Sequence, residues 1–195
     1  MPQSKKNKPK PTSKAGTPKP PAIKANKSSK ASKLSASPTT AVDAITLLKA
    51  DHKEVAALFD EFESATGDAT KRDIANAICV ALKVHARLEE ELFYPAAYAA
   101  VEDKSLIEEA QVEHASAKDL IAQIESGAPG EAFYDARVRV LGEYIDHHVA
   151  EEEEEIFPQC RKSKMDLDAL GALLAMRKQE LKTGFVVSNP VLALS

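Results

Sequence analysis

HARLEEELFYP, the stretch from His85 to Pro95, returns later in the chain as HVAEEEEEIFP, from His148 to Pro158. In both copies a glutamate follows the histidine by four residues and a proline follows it by ten. Four steps along an α-helix bring a side chain back to the same face one turn further on. The repeat therefore predicts two related helices, each with a histidine and a glutamate on one face.

A second pair of stretches repeats in the same order. DHKEVAALFDEF at 51–62 parallels EHASAKDLIAQI at 113–124. His52 lies 33 residues before His85, and His114 lies 34 residues before His148. Two copies of one helical hairpin, related by a pseudo-twofold axis, would place two His/His/Glu sets face to face. The glutamates of the two sets are then positioned to bridge a pair of metal ions.

The body of the chain has an all-α composition, rich in Ala, Leu, Glu and Lys, and the whole chain has only seven glycines. Apolar residues spaced by three and four predict long helices over 42–64, 69–100, 104–126 and 131–162. Pro95 is expected to kink or break the second of these helices. A shorter helix, capped by Asp166, is predicted over 166–182. Short breaks between the long helices favour an up-down-up-down four-helix bundle flanked by this extra C-terminal helix.

Residues 1–40 differ from the body in composition. They hold ten lysines, seven of the eleven prolines and no acidic residue, so residues 41–195 carry −14 while the whole chain carries −4. Such a segment buries too little apolar surface to offset its ordering entropy. The predicted organisation is a disordered basic tail (1–40), a four-helix bundle domain (41–162), and a short C-terminal helix and tail (163–195).

Composition also bounds the environment and the partners. No apolar run is long enough to span a bilayer, and no secretory signal is evident, so we expect a cytoplasmic protein without a membrane partner. The two cysteines, Cys79 and Cys160, do not indicate a disulfide framework. The lysine tail resembles basic arms that bind nucleic acid through phosphate contacts, although a solubilising tail would have the same composition.

The predicted core contains histidines and glutamates, and their burial must be offset by polar partners. Each long helix carries one histidine on its apolar face, whereas His147 lies one step off that face. A carboxylate buried in an apolar core is costly unless it is paired, neutralised or bound to metal. Four imidazoles and two carboxylates in one layer therefore predict a metal site, whose nitrogen and oxygen donors suit iron, manganese or zinc. The predicted ligands are His52, His85, Glu89, His114, His148 and Glu152.

Other polar residues near this layer are expected to have simpler roles. Glu151 stands four residues after His147, so the pair remains an alternative to the ligands on the apolar face. The neighbouring glutamates are expected to face solvent: Glu90, Glu91, Glu153 and Glu154. Three tyrosines are expected to pack in the core or at the surface, and the alternative is that they support the metal ligands or are redox-active: Tyr94, Tyr98 and Tyr144.

DHKEV, HARLEEELFYP, EHASA and HVAEEEEEIFP together resemble the hemerythrin family, specifically its HHE cation-binding branch, over roughly residues 41–162. The resemblance implies a four-helix bundle with a non-haem di-iron centre bridged by carboxylate and oxo groups. It implies that the metal ligands are the same six residues that the apolar faces of the four helices predict. Oxygen-carrying members have a further histidine where this chain has Lys118, and the difference counts against simple reversible O2 carriage.

The resemblance favours a non-enzymatic protein that binds or senses O2, NO or iron in a stress or redox role. A di-iron oxidase or peroxidase is the alternative. With a lysine at position 118 in place of a histidine, one coordination position on the metal would be open to O2 or peroxide. A nucleic-acid-associated protein, tethered through its tail, is a further alternative.

Overall fold

The computed structural model describes residues 42–188, with side chains described as far as residue 184. It confirms the all-α prediction, and no strand occurs within the described range. The predicted tail at 1–40 and the last residues, 189–195, lie outside that range. None of the described helices is long and apolar enough to cross a membrane. The helices are α1 (Ala44–Ser64), α2 (Asp68–Leu88), α3 (Tyr94–Ala100), α4 (Ser105–Ser126), α5 (Tyr134–Glu151), α6 (Phe157–Lys162) and α7 (Leu167–Ser188).

The long helices form the predicted four-helix bundle. α1 packs beside α2 and α5, and α4 packs beside the same two helices. α2 continues into α3 and α5 continues into α6, so each hairpin has one simple helix and one composite helix. The side chain of Asp43 caps α1 by accepting a hydrogen bond from the Thr46 N–H at 3.1 Å.

The two repeated stretches adopt the same local structure. π-Helical turns at Glu89–Phe93 and Glu152–Ile156 join the two parts of each composite helix. In these turns the N–H of Tyr94 bonds to the Glu89 carbonyl, and the N–H of Phe157 bonds to the Glu152 carbonyl. Each wide turn ends two residues before a proline, which lacks an N–H and would clash with a regular preceding turn. The second helix therefore does not end at Pro95.

Two apolar clusters occupy the bundle interior, one on each side of the polar layer. The first includes Leu48, Leu88 and Phe157, and the second includes Phe62 and Leu141. Residues of α1 pass from the first cluster, through His52, to the second. The polar layer is thus enclosed at both ends by packed side chains.

α7, the predicted extra helix, packs against α1 and α2. The Asp166 side chain accepts a hydrogen bond from the Ala169 N–H at 3.0 Å, as predicted for its cap. Gly171 allows α7 to approach closely, because a Cβ at this position would lie 2.2 Å from the carbonyl oxygen of Val42. Glycine is therefore required for the observed contact between α7 and the start of α1.

Candidate metal centre

The structure brings all six predicted ligands into one buried layer. Each of them is at most 6% exposed, and both glutamates are fully buried. They come from four helices and two π-helical turns, so the bundle itself sets their positions: His52, His85, Glu89, His114, His148 and Glu152.

The histidines form two pairs, one in each hairpin. The Nε2 atoms of His52 and His85 lie 3.1 Å apart. The Nε2 atoms of His114 and His148 lie 3.2 Å apart. All four Nε2 atoms therefore converge on the bundle axis.

The two glutamates each connect one hairpin to the other. Glu89 has one oxygen 3.2 Å from His85 Nε2 and the other 3.4 Å from His114 Nε2. Glu152 has Oε2 at 3.3 Å from His52 Nε2 and at 3.8 Å from His148 Nε2. Both carboxylates lie between the two histidine pairs, in the arrangement that the internal repeat predicts.

The outer nitrogen of every histidine faces a second carboxylate. His52 Nδ1 lies 3.0 Å from Glu153, His114 Nδ1 lies 3.0 Å from Glu90, His148 Nδ1 lies 2.7 Å from Glu113, and His85 Nδ1 lies 3.7 Å from Asp51. A carboxylate that accepts a hydrogen bond from Nδ1–H keeps the hydrogen on that nitrogen, so the Nε2 lone pair of the neutral ring faces the centre. This tautomer is the one that binds a metal ion through Nε2.

The prediction that Glu90 and Glu153 face solvent is therefore wrong. They are only 31% and 26% exposed, and each reaches a histidine of the other hairpin. The reason is the π-helical turn, whose extra residue directs two consecutive side chains, such as Glu89 and Glu90, toward the interior. An acid directly after the ligand glutamate in both repeats was the available signal.

Asp51 and Glu113 were missed as members of the site. Each directly precedes the first histidine of its repeat, in DHKEV and EHASA. The acidic residue at this place in both copies was a signal in the sequence, because an acid that recurs beside a ligand histidine is a candidate second-layer partner.

Tyr94 also has a more specific role than the predicted packing. It is 2% exposed, and its hydroxyl donates to Glu152 Oε1 at 2.9 Å and lies 3.2 Å from His114 Nε2. The other repeat has Phe157 at this position, and its ring stacks on His52. The two halves of the centre are therefore inequivalent. Of the other tyrosines, Tyr98 is 37% exposed and Tyr144 packs against the second apolar cluster.

The structure does not bring His147 and Glu151 into the buried layer. The His147 side chain is 63% exposed, and its Nε2 lies 3.3 Å from Glu151 Oε1. The alternative that this pair supplies ligands to the buried centre is therefore not supported by the geometry.

The buried donors fit a metal cation. Both oxygens of Glu89 and Oε2 of Glu152 are buried without a hydrogen-bond partner. Unpartnered carboxylate oxygens are expensive in a protein interior, and cations are their usual compensation. Imidazole and carboxylate without thiolate suit iron, manganese or zinc.

The electrostatics of the metal-free chain favour a proton on His85. Burial lowers the pKa of His85, but Glu89, Asp51 and Glu152 outweigh burial and raise the pKa to about 10. Burial raises the pKa of Glu89, but His85 and His114 lower it well below its ordinary value. The carboxylate is thus charged, and the proton on His85 occupies the place of a cation.

We expect metal uptake near pH 8 to release at least one proton per chain. A metal ligand must be deprotonated, and His85 with a pKa of about 10 is still protonated at that pH. An ordinary histidine, with a pKa of about 6.5, would release almost none. A pH indicator in weakly buffered solution measures the release during zinc or iron addition. Uptake without proton release would contradict the protonated state of His85.

Helix α7 contacts the centre through Lys178. The Lys178 ammonium donates to Asp51 Oδ1, while Asp51 Oδ2 faces His85 Nδ1. Burial raises the pKa of Asp51, but His85 and Lys178 lower it below its ordinary value. The extra helix thus supplies a cation to the carboxylate that positions a predicted ligand.

Lys178→Met is expected to lower the free energy of unfolding by about 1–3 kcal/mol, because it leaves Asp51 buried without its cation. Metal affinity should fall by about 10- to 100-fold, as for other residues that orient a ligand histidine. Denaturant titration and metal competition measure the two effects. Lys182→Met is the matched control on the same helix, since Lys182 is 46% exposed and 3.9 Å from Glu54. Equal losses in both variants would argue against a specific role for Lys178.

A narrow cavity of about 30 Å³ adjoins the four histidines. Half of the residues that line it are aliphatic, and a volume of this size admits a diatomic molecule or one to two waters. Lys118 lines the cavity, but its ammonium bonds to Glu90 at 2.7 Å, and Glu90 in turn faces His114 Nδ1. Lys118 therefore holds a carboxylate that in turn orients the predicted ligand His114. The cavity lining is Asp51, His52, Val55, Leu82, Lys83, His85, Ala86, His114, Ala117, Lys118, Ile121, Ile145, His148 and Val149.

Comparison with known proteins identifies the family of this chain and a solved structure with the same fold. The sequence model of the Hemerythrin HHE cation binding domain matches residues 43–160. The crystal structure of an HHE cation binding domain-containing protein, the Rv2633c homolog from Mycobacterium kansasii, has the same fold with a TM-score of 0.67. It is 23% identical, and the alignment covers 76% of this chain and 93% of that protein.

A curated relative is larger than this chain. It is a DNA nickase from Nostoc sp. (strain PCC 7120), 28% identical over 120 residues. The match covers 60% of this chain and only 33% of the nickase, so the chain corresponds to about a third of that protein.

Proposed function

The chain belongs to the Hemerythrin HHE cation binding domain family, and from this membership and the buried His/Glu layer we propose a non-haem di-iron protein. Its function would be to bind O2 or NO, or to sense iron, in a stress or redox role. We place it in the cytoplasm, because Cys79 and Cys160 are buried and unpaired, which suits a reducing compartment. Manganese or zinc would fit the same donors.

The sharing of Glu89 between the two hairpins carries the proposal. Its two oxygens face His85 of one hairpin and His114 of the other, at 3.2 and 3.4 Å. Two cations held by the two histidine pairs would have Glu89 and Glu152 between them. The layer therefore has donors for two ions, as in other carboxylate-bridged bundles.

The residues of the chain prepare the site for a small ligand. Iron, when bound, supplies redox chemistry and an affinity for diatomic molecules. The second-layer carboxylates hold the histidines in the tautomer that binds metal. Tyr94 donates a hydrogen bond to Glu152, which fixes that carboxylate. The cavity beside the four histidines, at about 30 Å³, admits only small molecules.

Metal analysis with absorption spectroscopy tests the proposal. We expect about two iron ions per chain, and absorption bands that change when azide, NO or O2 is added. His85→Ala should lose most of the metal. A preparation without iron, or unchanged metal content in His85→Ala, would contradict the proposal.

A peroxide turnover assay distinguishes the oxidase or peroxidase alternative. Lys118 at the cavity, in place of a histidine, is the observation that favours it. Steady peroxide turnover that is lost in both Glu89→Ala and Glu152→Ala would assign the enzymatic function. Stable oxygenation without turnover would assign the binding function.

Nucleic-acid association is a second candidate function. It is supported by the ten lysines of residues 1–40 and by the similarity to a protein named as a DNA nickase. Phosphate contacts by lysines would give affinity without sequence preference and a strong dependence on salt.

Fluorescence anisotropy with duplex DNA tests this candidate in the full chain. Replacing the ten tail lysines by glutamine should weaken binding. It should also flatten the slope of log affinity against log salt by about 0.9 for each phosphate that the tail no longer neutralises. An unchanged affinity and slope would remove nucleic acid as a partner of the tail.

A further inference from the structure

A second group of metal-binding side chains lies at the surface, where α4 meets α5. It consists of Glu113, His147 and Glu151, and its donor atoms lie within 4.8 Å of one another. His147 Nε2 is 3.3 Å from Glu151 Oε1 and 4.0 Å from Glu113 Oε1. The His147 side chain is 63% exposed, so ions in solution can reach it.

Glu113 connects this outer group to the buried layer. Its side chain is only 12% exposed, and Oε2 is held by His148 Nδ1 at 2.7 Å. The other oxygen, Oε1, is therefore turned toward His147. One carboxylate faces a buried histidine on one side and the surface on the other.

The internal repeat shows what the outer oxygen lacks. Asp51 is the counterpart of Glu113 in the first hairpin, and it too faces a buried histidine with one oxygen. Its other oxygen accepts from the Lys178 ammonium. The partners of Glu113 are His148 and His147, so the second half has imidazole donors where the first half has a fixed cation.

We propose that Glu113, His147 and Glu151 bind a divalent metal ion at the surface, distinct from the buried centre. This ion compensates Glu113 as Lys178 compensates Asp51. Its binding is coupled to the buried centre through the Glu113 carboxylate, whose other oxygen holds His148.

The donors suit a borderline divalent ion such as Zn²⁺, Mn²⁺ or Fe²⁺. One imidazole and two carboxylates leave room for water, as in open sites with three protein ligands. Ligands about 2.0–2.1 Å from a tetrahedral ion lie about 3.3–3.4 Å apart. The distance from His147 to Glu151 already has this value, the distance from His147 to Glu113 is 4.0 Å, and all three donor atoms lie within 4.8 Å of one another, so the ion would draw the Glu113 oxygen inward.

A titration with Mn²⁺ tests the outer site in the full-length protein. Tightly held metal is counted first, after gel filtration, so that failure of the buried centre is recognised separately. Free Mn²⁺ is then followed by electron paramagnetic resonance near neutral pH. We expect one additional Mn²⁺ per chain, bound at least about tenfold more weakly in His147→Ala and Glu151→Gln. Tightly held metal should be unchanged in both variants.

Glu155→Gln is the matched control, because it removes the same charge from an exposed position one turn beyond Glu151. It should bind the additional Mn²⁺ like the original chain. No additional Mn²⁺ at about 1 mM, or equal binding by Glu151→Gln and Glu155→Gln, would overturn the site. In metal-loaded protein, Mn²⁺ should shift the absorption of the buried centre only when His147 is present. The absence of that shift would overturn the coupling through Glu113.

Discussion

Glu152→Ala is expected to lower metal affinity by more than about 100-fold. The substitution removes a fully buried carboxylate that faces one histidine of each hairpin, at 3.3 and 3.8 Å. Loss of a residue that only orients a ligand costs about 10- to 100-fold, and the ligand itself should cost more. Metal content after dialysis against a graded chelator measures the effect. Glu152→Gln, which keeps the volume, should show a similar loss without opening a cavity.

Two neighbouring glutamates are the controls for this prediction. Glu153→Ala should be intermediate, with a loss of about 10- to 100-fold, because Glu153 holds His52 Nδ1. Glu155→Ala should retain metal, because Glu155 is exposed. If all three variants lost metal equally, net charge rather than position would determine affinity. If Glu152→Ala retained it, the assignment of the buried layer would be wrong.

Gly171→Ala is expected to lower the free energy of unfolding by about 1–3 kcal/mol. The added Cβ would lie 2.2 Å from the Val42 carbonyl oxygen and 2.8 Å from the Ala44 nitrogen. These are backbone atoms, so relief requires α7 to move away from α1. Because α7 carries Lys178, the same movement should weaken metal binding. Thermal and denaturant unfolding of the metal-free and metal-loaded forms measure both effects.

The matched control is Gly184→Ala in the same helix. Among the residues whose side chains are described, none has an atom within 4 Å of a Cβ placed at Gly184. Alanine is a better helix former, so this variant should be more stable by up to about 0.5–1 kcal/mol. A loss of stability at both positions would mean that α7 tolerates no change, rather than that Gly171 enables a close contact.

The bundle followed from the sequence because its signals are local. Apolar residues spaced by three and four positions determine which face of a helix is buried. The short loops determine that neighbouring helices are antiparallel. The six buried donors were predicted for the same reason, since each of these histidines and glutamates lies on the apolar face of its helix. Their convergence is observed, and their metal binding remains a prediction that the Glu152 variants test.

The residues that contact and orient the predicted ligands were not predicted, because these contacts join helices that are far apart in the chain. Glu90 and Glu153 become partners of His114 and His52 only through the extra residue of a π-helical turn, and the spacing of apolar residues does not reveal such a turn. Lys178 reaches Asp51 from a helix that the repeat does not include. Tyr94 acquires its contact with Glu152 because the repeat differs there from its copy, which has Phe157. Such differences between copies are not visible as periodicity.

The contact of Lys178 with Asp51 affects how this protein can be shortened. The family match ends at residue 160, and the predicted bundle domain ends at 162. A protein trimmed at either boundary would keep every predicted ligand, yet it would remove the ammonium beside Asp51 and uncover the faces of α1 and α2 that α7 covers. The smallest fragment suitable for spectroscopic study therefore extends through α7 to residue 188, which is 28 residues beyond the end of the family match at residue 160.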